Sequence, residues 1–220
     1  MSAILTPMVG RRQVVGGLAA AVSSGLLLPS GTAWASGRVL TPRQTTGPFY
    51  PVDWAGDIDN DLVRVTGGDA ESLGRVSHIM GRVTDTQGTP IAGAIVEIWQ
   101  CDQNGRYLHP GDRQRRKRDE GFQGRGRTRT SGDGGYRFRT IRPVPYPGRT
   151  PHIHFAIEAP DGRRLVTQMY VAGEPGNERD GLLRRIRDPR QRASVIVALE
   201  PADRIEAGAL GGTFDIVLAA

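Results

Sequence analysis

The sequence predicts a mainly β protein: a β-sandwich of two sheets with an extended N-terminal arm and one short helix near the C-terminal end. Three observations predict it. Thirty Gly and fifteen Pro among 220 residues require frequent turns. From residue 76 onward, short runs rich in β-branched and aromatic residues alternate with clusters of Gly, Pro, Asp and Asn. Helical character is confined to one segment, 178–187. A chain of this length buries one substantial core.

Residues 1–35 read as an export signal rather than part of the fold. Arg11-Arg12 precede a weakly apolar stretch, 14–28, that ends in Pro29 and small residues, and Ala33-Trp34-Ala35 supplies an A-x-A cleavage pattern. The stretch is too short and too rich in Gly and Ala for a membrane span, so no stable membrane anchor is expected. The arginine pair followed by Gln13-Val14-Val15 resembles a twin-arginine signal, although Gly10 stands where Ser or Thr is usual. The expectation is a periplasmic or extracellular protein exported by that route, with an ordinary secretory signal as the alternative.

Residues 36–75 carry Pro, Gly and Asp with little periodicity and predict an extended arm. Within it, Thr45-Thr46-Gly47-Pro48-Phe49-Tyr50-Pro51 sets two aromatic rings beside rigid turns. Residues 76–220 form the sandwich domain. Strands are expected at 76–85, 94–101, 136–141, 152–159, 165–171, 194–199 and 213–218, with Asp85-Thr86-Gln87-Gly88 and Ser131-Gly132-Asp133-Gly134 as turns. The helix at 178–187 has Asn177 as its expected N-cap and Pro189 beyond its end.

Removing residues 1–35 takes away two arginines and no acid, lowering the net charge from +6 to +4. The remaining excess lies between Arg113 and Arg129. A nucleic-acid patch is one reading; a solvated loop suits an exported protein without neighbouring stacking aromatics better, and no nucleic-acid partner is expected. A rim that attracts anionic substrates is a third reading. Cys101, the single cysteine, excludes an intramolecular disulfide and reads as a small buried side chain.

The candidate chemistry centres on Pro151-His152-Ile153-His154-Phe155. Alternate strand residues share a face, so His152 and His154 stand together while Ile153 points into the core. Two such imidazoles can chelate a transition metal; alone, they are as readily an accident of surface alternation. Tyr146 lies between prolines in Arg142-Pro143-Val144-Pro145-Tyr146-Pro147, which restricts the backbone that aims it. Tyr107 follows the turn Asn104-Gly105-Arg106. Either tyrosine by itself reads as a half-buried aromatic with a bonded hydroxyl.

Together these pieces resemble the intradiol ring-cleavage dioxygenases, and especially their protocatechuate 3,4-dioxygenase branch. The resemblance runs through Gly81-Arg82-Val83, Val96-Glu97-Ile98-Trp99-Gln100, Gly105-Arg106-Tyr107, Gly135-Tyr136-Arg137-Phe138-Arg139-Thr140-Ile141, Pro145-Tyr146-Pro147, His152-Ile153-His154-Phe155 and Thr167-Gln168-Met169-Tyr170. The arm segment Thr46-Gly47-Pro48-Phe49-Tyr50 also fits. It implies an Fe(III) centre held by Tyr107, Tyr146, His152 and His154, with Tyr107 equatorial and Tyr146 axial. A phenol of pKa about 10 needs a strongly Lewis-acidic cation to displace its proton, which agrees with ferric iron. Copper or zinc on the histidines would leave both tyrosines unexplained.

The resemblance further implies a catechol-type substrate and O2, cleavage between the two hydroxyl-bearing carbons, and a muconate-type diacid product. Tyr146 would accept a substrate proton, Arg149 would stabilise developing negative charge, and Gln168 would hydrogen-bond an intermediate. Tyr50 and Gly148 would border the substrate pocket. His152 follows Tyr146 by six positions, several fewer than in the protocatechuate branch, and Gly148 stands near the place of a bulky aromatic, implying a more open pocket. Assembly with copies of itself or with a homologous subunit stays open. The rival reading is a non-enzymatic transthyretin-like or adhesin-repeat-like β-sandwich binding module, suggested by Gly81 to Trp99. Such a module has no need of the four ligand candidates together.

Overall fold

The computed structural model describes residues 38–219. The expected export signal, 1–35, lies outside the described residues. Among the described residues no helix is long and apolar enough to cross a membrane.

Two mixed five-stranded sheets face each other. In the first, β1 (Val76–Thr84) pairs antiparallel with β4 (Gly135–Ile141). Its other edge pairs in parallel with β9 (Leu210–Thr213) and β10 (Ile216–Val217), and β8 (Glu200–Pro201) lies antiparallel on β9. The second sheet runs in the order β3 (Arg125–Arg129), β2 (Ile95–Trp99), β5 (His152–Glu158), β6 (Arg164–Val171), β7 (Ile196–Val197). The sandwich inferred from turn punctuation and short β-rich runs is the observed fold.

The period of two places the core. Val96 and Ile98 of β2, Ile153, Phe155 and Ile157 of β5, and Leu165 and Met169 of β6 join Ile79, Val83, Phe138 and Ile141 of the first sheet in one buried cluster. Gly81 is small because β1 runs tightly against the next segment: a Cβ there would collide with the Phe214 carbonyl oxygen.

Several segments differ from expectation. Arg125–Arg129, expected within a solvated loop, is edge strand β3. Its arginines point outward, and Arg125 pairs with Asp53 at 2.9 Å while Arg127 pairs with Glu97 at 2.5 Å. A charged edge resists further strand pairing, and the same charge hides the strand from a hydrophobic pattern. The run expected at 213–218 breaks at Phe214-Asp215, because the Phe214 carbonyl accepts the Tyr136 hydroxyl at 2.5 Å and the Asp215 side chain takes the Arg82 N–H at 3.0 Å. The run expected at 194–199 keeps only β7 as strand.

The single expected helix is instead a 3-10 turn, Pro175–Glu178, followed by two short helices, α1 (Gly181–Arg184) and α2 (Pro189–Ser194). Asp180 accepts from the N–H groups of Leu182 and Leu183 and so starts α1; Asp188 does the same for α2. Pro189 therefore opens a helix rather than following one, as its missing N–H permits. Asn177 caps nothing; its side chain bonds Thr150 and the Val171 carbonyl.

The segment before β1 forms no regular strand but is pinned along its length. Thr41 N donates to Val217 O, Gln44 N to Val166 O, Arg127 N to Ile58 O, and Leu62 N to Arg139 O. Between these anchors it crosses the outer face of the second sheet, the face the core does not use.

Candidate metal centre

On that outer face lies a second buried cluster of Trp99, Cys101 and Tyr107, against which Phe49, Tyr50, Val144, Tyr146, Ala156 and Val166 pack. Strand register builds it. His154 stands opposite Trp99 of β2 on one side and Gln168 of β6 on the other, and His152 stands opposite Tyr170. Residues opposite one another share a face, so Trp99, His152, His154, Gln168 and Tyr170 form one patch on the outer face of the second sheet.

Two loops bring the phenols over this patch. Asp102 folds the first by accepting from the N–H groups of Asn104 and Arg106 at 2.8 and 2.9 Å, with Gly105 left-handed at φ 76°. The buried Asp112 carboxylate then takes the Tyr107 N–H at 2.7 Å. The second is a turn in which Arg149 N donates to Tyr146 O at 2.9 Å, with Gly148 at φ 81°. Gly148 faces open space, with no atom within 4 Å of where a Cβ would stand.

The four expected ligands converge. Ring centroids lie 4.9 Å apart for His152 and His154, 5.4 Å for Tyr146 and His152, 5.6 Å for the two tyrosines and 6.2 Å for Tyr107 and His154. The Tyr107 hydroxyl is 3.4 Å from His152 Nε2. Tyr107, His152 and His154 are buried and Tyr146 is half-buried.

Electrostatics suits this set to a highly charged cation. Burial, reinforced by the positive charge of Arg149, lowers His152 to about 4. Burial holds His154 still further below the ordinary imidazole range. Both are therefore neutral donors at pH 7. His152 Nδ1–H donates to the Thr150 carbonyl at 2.6 Å, which leaves Nε2 unprotonated and turned towards Tyr107. Burial pushes both phenols up, Tyr107 the more strongly; for Tyr146 the Arg149 charge partly offsets it. Without a cation the phenols stay protonated, so only a strong Lewis acid makes them ligands. Gly47 of the arm, at φ 70°, leaves the edge of His154 open, since a Cβ there would stand 3.2 Å from His154 Cε1. His154 stacks on Trp99 at 4.8 Å, and Phe49 stacks on Tyr107 at 4.7 Å, closing the cluster against water.

Arg149 sits beside this group. Its Nε donates to Asp180 Oδ2 at 2.8 Å and its Nη2 to Gln168 Oε1 at 2.6 Å. Gln168 Nε2 in turn donates to Thr45 O, and the Tyr170 hydroxyl donates to Gln44 Oε1 at 2.7 Å. Asp180 is fully buried and also accepts from Thr150 N, Leu182 N and Leu183 N. Burial alone would raise its carboxyl; the bonds from Arg149, Leu183 and Thr150 outweigh that and hold it below the usual range.

Tyr50 lies one layer further out. Its ring packs edge-on against Trp99 at 4.9 Å, and its hydroxyl donates to Glu97 at 2.8 Å. Cys101 is buried, and burial followed by the charge of Asp102 pushes its thiol up to about 12, as an inert packing residue requires. The basic run at 113–118 is tied to the Tyr107 loop, with Arg116 Nη1 donating to Asn104 O at 3.1 Å.

Sequence reasoning missed Asp102, Asp112, Asp180 and Tyr170. Tyr170 was within reach, since it alternates with Gln168 on one strand face. Asp102 carries a turn signal in Asp102-Gln103-Asn104-Gly105. Asp112 and Asp180 gave no separable signal, because acids in loops are common.

The family model for dioxygenases matches residues 45–220. A protocatechuate 3,4-dioxygenase beta chain from Burkholderia cepacia is 37% identical over 185 residues, covering 80% of this chain and 78% of the relative. A hydroxyquinol 1,2-dioxygenase from Corynebacterium glutamicum is 36% identical over 155 residues; the match covers 61% of this chain and 47% of that relative, so the chain spans about half its length. Among solved structures, the dioxygenase domain of a dioxygenase carbohydrate-binding protein fusion from Streptomyces sp. SirexAA-E superimposes with a TM-score of 0.64 at 32% identity, covering 83% of this chain and 99% of that one.

Proposed function

The chain belongs to the intradiol ring-cleaving dioxygenases, and from that premise we propose that it binds Fe(III) through Tyr107, Tyr146, His152 and His154 and cleaves catechol-type aromatics to muconate-type diacids. The carrying observation is the convergence of two phenols and two neutral imidazoles on one sheet face, with neighbouring centroids 4.9–6.2 Å apart. When bound, ferric iron supplies the Lewis acidity that ionises phenols and draws electron density from a chelated ring.

The protein's own groups divide the remaining tasks. Tyr146, on a turn and less buried than Tyr107, is the phenol placed to hold a substrate proton at its oxygen. Arg149 keeps its charge at any working pH and places it beside the site, where developing negative charge is stabilised in a dry environment. Gln168 orients that guanidinium. Trp99 and Phe49 exclude water. Gly148 and the short Tyr146 loop leave space for a ring substituent.

The test is colour and turnover together. Purified protein loaded with iron is expected to hold one iron per chain, to absorb in the visible through phenolate-to-iron charge transfer, and to consume O2 with catechol, protocatechuate or a larger substituted catechol. Colourless protein that retains no iron after reconstitution would refute the proposal.

Export through the twin-arginine route is part of the same proposal and rests on Arg11-Arg12 and Ala33-Trp34-Ala35. Copper and zinc outcompete iron for nitrogen ligands when metals are offered freely. Folding around iron before export avoids that competition. Arg11→Lys/Arg12→Lys is expected to retain the protein in the cytoplasm; iron-loaded variant outside the membrane would exclude the route.

A further inference from the structure

A cavity of about 800 Å³ lies between the arm, the β5–β6 turn, α1 and the C-terminal strand, away from the four ligand candidates. Its size is that of a small-molecule site. Leu40, Leu165, Leu182, Ile186, Val217 and Leu218 give it apolar walls. Arg43, Arg163, Arg164, Arg185 and Arg187 also line it, and no Asp or Glu does. Two of these cations are neutralised outside the wall: Arg163 pairs with Asp161 at 2.7 Å, and Arg164 with Glu158 at 2.5 Å. Arg43 donates to the Arg164 carbonyl, an uncharged partner. The side chains of Arg185 and Arg187 make no ion pair or hydrogen bond among the described residues.

We propose that this cavity is a second binding site, for an organic carboxylate with an apolar body. The apolar walls favour a hydrocarbon or aromatic portion that leaves water. Guanidinium forks match a carboxylate bidentately, and their uniform sign disfavours cations. A neutral sugar would leave the arginines unmatched. The site is independent of the iron assignment. It nevertheless shares Gln44 and Thr45 with the hydrogen-bond network behind Gln168, so a test must separate the two.

The experiment is calorimetric titration of 2-naphthoate into the iron-loaded protein, held anaerobic and saturated with catechol. One saturable site is expected, with neutral 2-naphthylmethanol binding at least tenfold more weakly. Arg185→Ala/Arg187→Ala is expected to weaken naphthoate at least tenfold while the visible spectrum and oxygen uptake stay unchanged. Leu182→Trp, which narrows the cavity and keeps every charge, is expected to weaken both probes. The proposal is overturned if naphthoate shows no saturation up to millimolar concentration, if catechol abolishes its binding, or if neither variant weakens it. A protein that binds naphthoate in this way but cleaves no catechol would refute the proposed activity and leave the cavity assignment standing.

Discussion

Tyr107→Phe is expected to lower kcat/KM for catechol cleavage by more than about a hundredfold, since even losing an outer partner of a metal ligand typically costs 10–100-fold. The substitution also separates a ligand from a packing residue. The ring of Tyr107 packs against Phe49 and Tyr146, and phenylalanine keeps both contacts. Among the described residues the hydroxyl meets His152 Nε2 at a long 3.4 Å, and a contact that long contributes little, so deleting it removes little folding energy. A structural tyrosine would therefore tolerate the change in every assay. A ligand would not: the visible band should shift and weaken, iron should be lost more readily to a chelator, and the melting temperature of the metal-free protein should hardly move. An unchanged spectrum together with an unchanged rate would remove Tyr107 from the centre.

Much of this site is legible in the amino-acid sequence, because the decisive signals are local. Alternation in β5 assigns His152 and His154 to one face and Ile153 to the other, and the core confirms the split by burying Ile153 with Phe155 and Ile157. The prolines around Tyr146 and the Asn104-Gly105 turn before Tyr107 mark constrained loops. That these loops and β5 meet is a tertiary fact. Neither period nor propensity contains it; the resemblance to a family did. What stayed hidden is equally physical. Strand β3 alternates arginine with glycine and threonine, and its stability comes from partners outside the strand. These are Asp53 of the arm, Glu97 of β2, and the Trp54 ring beneath Arg127 at 4.5 Å. The broken helix follows the same rule. Composition favours helix over 182–187, but Asp180 and Asp188 each offer a side-chain acceptor that starts a short helix of its own.

Asp180 supports the second large expectation, because one buried carboxylate there serves four donors. Arg149 Nε, Thr150 N, Leu182 N and Leu183 N all point at it, and its side chain is 0% exposed. Asp180→Asn preserves shape and can still cap α1 through its remaining oxygen. The new amide nitrogen, however, faces two donors, and the largely buried Arg149 loses its counter-charge. Breaking a buried pair in this way typically destabilises by about 3–5 kcal/mol. The expected result is a clear fall in melting temperature and, well below it, a kcat reduced at least tenfold with the visible spectrum retained, since none of the four proposed ligand side chains bonds Asp180. A purely structural Asp180 would move the melting temperature alone. The double-mutant cycle decides between them: if Asp180 acts on turnover by holding Arg149, then Asp180→Asn adds little to the rate loss already caused by Arg149→Ala. Additive losses would mean that Asp180 reaches the chemistry by another path. Raising pH would not restore the variant, because asparagine has no carboxylate to regain. In the parent protein the Asp180 carboxyl is held below its usual value. Its stabilising contribution is therefore fully present above the ordinary carboxylate pKa of about 4, and is lost as pH falls from there through the lower folded value.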